Sequence, residues 1–76
     1  IEDQSIWLDD VSESKLIDTM QKIQKDNEHI KIYSLPKLRP KKTIELGIKG
    51  KSELVSQAMK ELKKNLKKLK YDWREN

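Results

Sequence analysis

The sequence predicts an α/β fold of the α+β kind: a two-layer sandwich in the order β-α-β-β-α, with two helices on one face of a three-stranded sheet. Three observations carry that prediction. Apolar residues alternate over residues 6–8, 30–33 and 44–48, the pattern of half-buried strands. They recur every three or four positions over residues 16–23 and 54–69, the pattern of amphipathic helices. Each of these elements has one apolar face, and a single interface between two layers buries them all. The third strand is expected at the centre, antiparallel to the other two, in a split β-α-β arrangement.

The first strand is the β-prone run Ser5-Ile6-Trp7-Leu8, stopped by Asp9-Asp10, with Ile6 and Leu8 on one face and Trp7 on the other. Ser12 is the expected N-cap of the first helix, and Glu13 lies in the first turn, where the helix dipole favours a negative charge. Val11 and Leu16 are spaced for a hydrophobic staple across that cap. Leu16, Ile17, Met20 and Ile23 form the apolar stripe, and Asp26-Asn27-Glu28 ends it.

Ile30 and Ile32 then alternate with Lys31 and Tyr33 as the second strand. Pro36 and Pro40 frame a basic loop over residues 37–42, where proline's missing N–H argues against a continued ladder. Ile44, Leu46 and Ile48 alternate with Glu45, Gly47 and Lys49 as the third strand. Gly50 and Lys51 punctuate, and Ser52 is the expected cap of the second helix. Its stripe runs Leu54, Val55, Ala58, Met59, Leu62, Leu66, Leu69. Tyr71-Asp72-Trp73 either extends that helix or adds an edge strand. The sheet face away from the helices would show Trp7, Lys31, Tyr33, Glu45 and Lys49.

At 76 residues the chain is one small domain, near the size at which a single core still suffices. It opens on Ile1 rather than Met, which reads as a piece of a longer protein, with residues 1–4 and 72–76 expected to be less ordered. There is no cysteine, so disulfides and thiolate metal sites are excluded and a cytoplasmic setting is expected. No apolar run is long enough to cross a bilayer, so no membrane partner is expected. The net charge of +4 is unevenly spread: residues 1–28 hold eight acids against three lysines, residues 29–76 fourteen bases against five acids. Such polarity can steer a polyanion or coat two solvated helices.

Chemistry-bearing patterns are few. Gly47-Ile48-Lys49-Gly50 has the G-x-x-G spacing of a KH backbone clamp. A clamp of that kind joins two helices, whereas here the alternation of Ile44, Leu46 and Ile48 runs straight through Gly47. A bulge at Gly47 and a turn at Gly50 is the better reading. The lysines of the second helix read as a solvated face whose cations suit its C-terminal end, ahead of a phosphate grip, because arginine is nearly absent. For nucleic acid the stronger candidates are Lys37, Arg39, Lys41 and Lys42 in the basic loop, with Lys49 at the end of the third strand and Lys51 in the turn after it. Trp7 and Tyr33 could stack bases, but they fit domain docking better, since nothing else forms an aromatic RNA-binding set. Asp9-Asp10 and His29 lack convergent partners for metal or acid–base work. No catalytic, metal or cofactor residues are therefore assigned.

The helix start Ser12-Glu13-Ser14-Lys15-Leu16 and the later strand Lys31-Ile32-Tyr33-Ser34-Leu35-Pro36-Lys37 resemble the C-terminal part of archaeal CinA-like proteins. In that competence/damage-inducible family the corresponding segments read Asp-Glu-Ser-Lys-Leu and Lys-Ser-His-Pro-Lys, and the main domain resembles molybdopterin-binding proteins. An alternating strand (residues 44–48) and an Ala- and Leu-bearing helix (residues 58–69) follow in the same order, so the likeness covers residues 11–70. Leu35 stands where the family commonly has His, and the Pro-framed loop replaces a more glycine-rich one. The resemblance implies a small KH-like accessory domain that follows a nucleotide- or pterin-binding domain. It also implies that any hydrolysis of ADP-ribose-type pyrophosphates belongs to that other domain.

The expectation is thus a non-catalytic domain that docks on a parent catalytic domain or self-associates, with Trp7 and Tyr33 as docking residues. A nucleic-acid module built on the basic loop is the alternative. A stand-alone enzyme would need a co-substrate or metal to supply what these side chains do not.

Overall fold

The computed structural model describes residues 1–37 and 42–75. The elements are β1 (Glu2–Asp9), α1 (Glu13–Asp26), β2 (Lys31–Lys37), β3 (Thr43–Gly50), α2 (Ser52–Lys68) and β4 (Arg74–Glu75). The fold is α+β, in the order β-α-β-β-α-β. The sheet runs β2-β3-β1-β4 with every neighbouring pair antiparallel. β3 is central, between β1 and β2, which is the split β-α-β connectivity. A fourth strand joins the three expected. Arg74 and Glu75 lie beside Trp7 and Ile6 as an edge strand, whereas Tyr71-Asp72-Trp73 neither extends α2 nor forms a strand but connects the two.

One face of the sheet carries Ile6, Leu8, Ile44, Leu46 and Ile48, all buried. Against them α1 buries Leu16 and Ile23, and α2 buries Val55, Ala58, Met59, Leu62 and Leu66. Val11 and Leu16 share this core, as the staple spacing requires. Two stripe residues leave it. Ile17 is 40% exposed, because a residue adjacent to Leu16 is turned about 100° around the helix. Leu69 is 48% exposed, because it is the C-cap, already past the packed turns.

The helix ends differ in detail from expectation. Ser12 is the N-cap of α1, but its hydroxyl pairs with Ser14 and makes no cap hydrogen bond. The N-cap of α2 is Lys51, with Ser52 as the first helical residue. Gly50, at φ +155°, turns the chain one residue early, in a conformation that L side chains rarely adopt. At its other end α2 closes in a Schellman motif. Tyr71 N–H donates to Leu66 C=O at 2.9 Å and Lys70 N–H to Lys67 C=O at 3.0 Å, with Lys70 left-handed at φ +63°.

β2 continues through Pro36, which sits opposite Ile44. The ladder survives because β2 is an edge strand. Ile32 N–H donates outward to Gln24 Oε1 at 3.0 Å, so Ser34 and Pro36, two and four residues on, also face outward, where a missing N–H costs nothing. Gly47 shows no bulge. It stays in register with Ser5 and Tyr33, as one step in an unbroken ladder.

Candidate functional site

With both helices on one side, the other face of the sheet is left uncovered. The strand registers set its side chains in rows across the sheet. Tyr33 aligns with Gly47 and Ser5; Leu35 with Glu45, Trp7 and Arg74; Lys31 with Lys49 and Asp3; Lys37 with Thr43 and Asp9. The five residues expected there, Trp7, Lys31, Tyr33, Glu45 and Lys49, all lie on this face.

Tyr33 is built into the sheet. Its ring lies over Gly47 so closely that a Cβ there would overlap Cζ and Oη. Its hydroxyl donates to Asp3 Oδ1 at 2.7 Å, and Lys49 Nζ stands 5.5 Å from the ring centroid. The phenol is pushed up to about 12, first by desolvation and then by the hydrogen bond to Asp3 and the negative charges of Asp3 and Glu45. Tyr33 therefore spans three strands.

Trp7 is half-buried, with Lys37 Nζ 4.5 Å from its ring centroid. Leu35, 49% exposed, shares its row across Glu45. Alternation from Lys31 and Tyr33 places Leu35 on this face too, although the residues expected there from sequence stop at Tyr33 on this strand. On the far side of Trp7, Arg74 Nε and Nη2 form a fork to the two Asp9 carboxylate oxygens at 3.1 and 3.0 Å. Thr43 Oγ1 donates to Asp9 Oδ1 at 2.9 Å. Cations and carboxylates are thus interspersed on this face.

The cations named for nucleic acid do not form one patch among the described residues. Lys37 and Lys42 lie at one end of β3, and Lys51 follows the other end, eight strand residues or roughly 25 Å away. Lys49 is drawn towards Asp3, at 3.8 Å. Arg39, Lys41 and the tip of the basic loop lie outside the described residues. Asp9 is held by Arg74 and Thr43, whereas His29 is exposed in the turn before β2. Among the described residues, no cluster of His, Asp and Glu has the make-up of a metal site.

A cleft of about 360 Å³ opens where the end of β1 meets the segment after α2, lined by Trp7, Asp10, Lys70, Tyr71, Trp73 and Arg74 together with Asp9 and Asp72. No motif pointed to it, since it joins residues some sixty positions apart. Beside it Glu75 accepts from Lys63 and Trp73, which lowers its carboxyl below the ordinary value.

These features define a small α+β domain with one bare sheet face and a cleft at its margin. No protein-family model matches the chain, and no curated protein or solved structure shows significant similarity to it. Among the described residues, no helix is long and apolar enough to cross a membrane.

Proposed function

We propose that this chain is a non-catalytic accessory domain of a cytoplasmic CinA-like protein. It packs the bare face of its sheet against the nucleotide- or pterin-binding domain of the same protein. The observation that carries this reading is the row Leu35–Glu45–Trp7. A large exposed aliphatic and a half-buried indole stand together on a face that neither helix covers. Aromatic anchors ringed by mixed charge are what interfaces select. A polyanion, by contrast, would meet Asp3, Asp9 and Glu45 on the same surface. The likeness of residues 11–70 to the family supplies the occupant.

The role of Tyr33 in this reading is to hold the face in shape, while Trp7 and Leu35 make the contact. The test adds the purified nucleotide- or pterin-binding domain to this chain and follows the Trp7 indole and Leu35 methyl resonances. The expected result is a shift of both, lost in Trp7→Ala and Leu35→Asp. Unmoved resonances at a large excess would sink the docking reading. A dimer by sedimentation, with the same two residues shifted, would replace the parent domain by a second copy.

A further inference from the structure

The outer face of α2 does not take part in that docking. Lys60, Lys64, Lys67 and Lys68 are all exposed along it, and Lys70 is exposed just past its end. None is in an ion pair among the described residues. Lys63 is taken by Glu75, and Glu61, the acid within this stretch, accepts from Asn27 of the α1 cap. Lysines three and four apart on one helix repel each other, a cost that the helix dipole offsets at Lys67 and Lys68 in the last turn and leaves standing at Lys60 and Lys64. The apolar residues of α2 are committed to the core, which leaves no insertion face for a lipid surface.

The stripe leads into the cleft of about 360 Å³, where Lys70 is followed by Tyr71 and Trp73, both half-buried. Among the described residues, the non-glycine positions in left-handed backbone are Asp10 at φ +54° and Lys70, the C′ residue of the Schellman motif, at φ +63°, and both line this cleft. Lysines four apart are separated by about 6 Å of helix rise, enough to meet successive charges of an extended polyanion. A basic track ending on aromatic rings is the arrangement that single strands use, phosphates on cations and bases on rings. The cleft's carboxylates fit the base end. Asp10 and Asp72 can accept from an exocyclic amino group, and Asp9 is already bound by Arg74.

We propose that α2 and the cleft together bind single-stranded nucleic acid, with phosphates along Lys60, Lys64, Lys67 and Lys68 and one base in the cleft against Tyr71 and Trp73. The α2 lysines and Tyr71 and Trp73 lie outside the Leu35–Glu45–Trp7 docking row, which meets the cleft at Trp7.

The test is fluorescence anisotropy of a labelled mixed-sequence 12-nucleotide RNA against the whole chain. Four phosphate contacts predict that affinity falls about 50-fold between 50 and 200 mM salt. Lys64→Ala with Lys67→Ala should halve the salt slope, whereas Lys37→Ala with Lys42→Ala should leave affinity within about twofold. Trp73→Leu should weaken binding about tenfold or more. Because Trp73 also packs on the core, a Trp7→Phe chain, which keeps an aromatic ring at the cleft margin, gives a second reading, in which the remaining indole fluorescence is quenched by the RNA. The proposal is overturned by absence of binding at 50 mM salt, by an unchanged slope in the α2 double variant, by unquenched Trp73, or by equal affinity for a duplex of the same length.

Discussion

The Tyr33 ring occupies the space that a side chain at position 47 would need. A Gly47 Cβ would overlap Tyr33 Cζ and Oη, and from that seat the hydroxyl reaches Asp3 on β1. One aromatic on the edge strand therefore lies across the central strand and is anchored on the third. The glycine is required by packing, not by backbone angle, and its strand register is unbroken. Gly47→Ala must swing the ring off the sheet, and should cost about 1–3 kcal/mol in urea unfolding. Tyr33→Ala removes the obstacle, so the double variant should be less destabilised than the sum of the singles. Additive effects would show that the ring and the glycine are independent.

The same ring sets a pH dependence. Tyr33 is held protonated up to about 12 by desolvation and by its hydrogen bond to Asp3, against an ordinary value near 10. The folded state therefore keeps a proton that the unfolded chain releases. The stabilisation is fully present below pH 10 and is lost as pH rises from about 10 to 12. Ultraviolet titration of tyrosinate should show this late component in the native chain and not in Tyr33→Phe. Asp3→Asn, which removes the charge beside the phenol, should move it back towards 10.

Gln24 protects the sheet edge that Pro36 protects further along. Its amide accepts from Ile32 N–H at 3.0 Å and donates to Ile30 C=O at 2.6 Å, standing in for a neighbouring strand at the start of β2. With Pro36 lacking an N–H, Ser34 is the remaining outward donor of β2. Gln24→Ala should cost about 1–3 kcal/mol by leaving half-buried backbone groups unpaired. It should also make light scattering rise with concentration, as the opened edge finds other chains. A variant that is weakened but stays monomeric at high concentration would assign Gln24 to stability alone.

How far the sequence reaches is clear from where these residues sit. The two helices and the strands around Ile6, Ile32 and Leu46 follow from apolar period, because burial on one face is a local pattern. The Ala58 to Leu66 stripe was legible for the same reason, and the central place of β3 from the connectivity of a split β-α-β unit. The extension of β2 through Pro36 was not, since it depends on which way an N–H points, and that is fixed only once β3 has paired. Gly47 read as a bulge because its partner, Tyr33, lies fourteen residues away. Trp7, Tyr33, Lys49 and Glu45 could be assigned to the bare face by parity, whereas the Arg74–Asp9 fork and the cleft beside it join the two ends of the chain. No spacing rule reaches that far.

Lys70 gives the simplest stability test. It holds the C′ position of the Schellman motif at φ +63°, where a β-carbon crowds the neighbouring carbonyl. Glycine suits that conformation, and Lys70→Gly should stabilise by about 0.5–1 kcal/mol, less whatever the more flexible unfolded chain takes back. A lower unfolding midpoint would mean that the lysine stem makes packing contacts worth more than the backbone relief.

The two-residue strand β4 depends on its side chains. Its short ladder with Ile6 and Trp7 could not persist alone, but three contacts hold the segment. Arg74 forks onto Asp9, Glu75 pairs with Lys63 across the edge, and Trp73 packs on the core. Each ion pair has one partner open to water, so Arg74→Ala should cost no more than about 1 kcal/mol globally. Its effect should be local. Amide exchange at Trp7, the residue opposite Arg74, should accelerate, while exchange at the buried centre of β3 around Leu46 stays unchanged. Trp73→Ala removes the apolar anchor and should cost more than the arginine change, releasing β4 and the Schellman turn together. Equal and purely global effects of the two variants would mean that the C-terminal segment unfolds with the core and is not a separable edge.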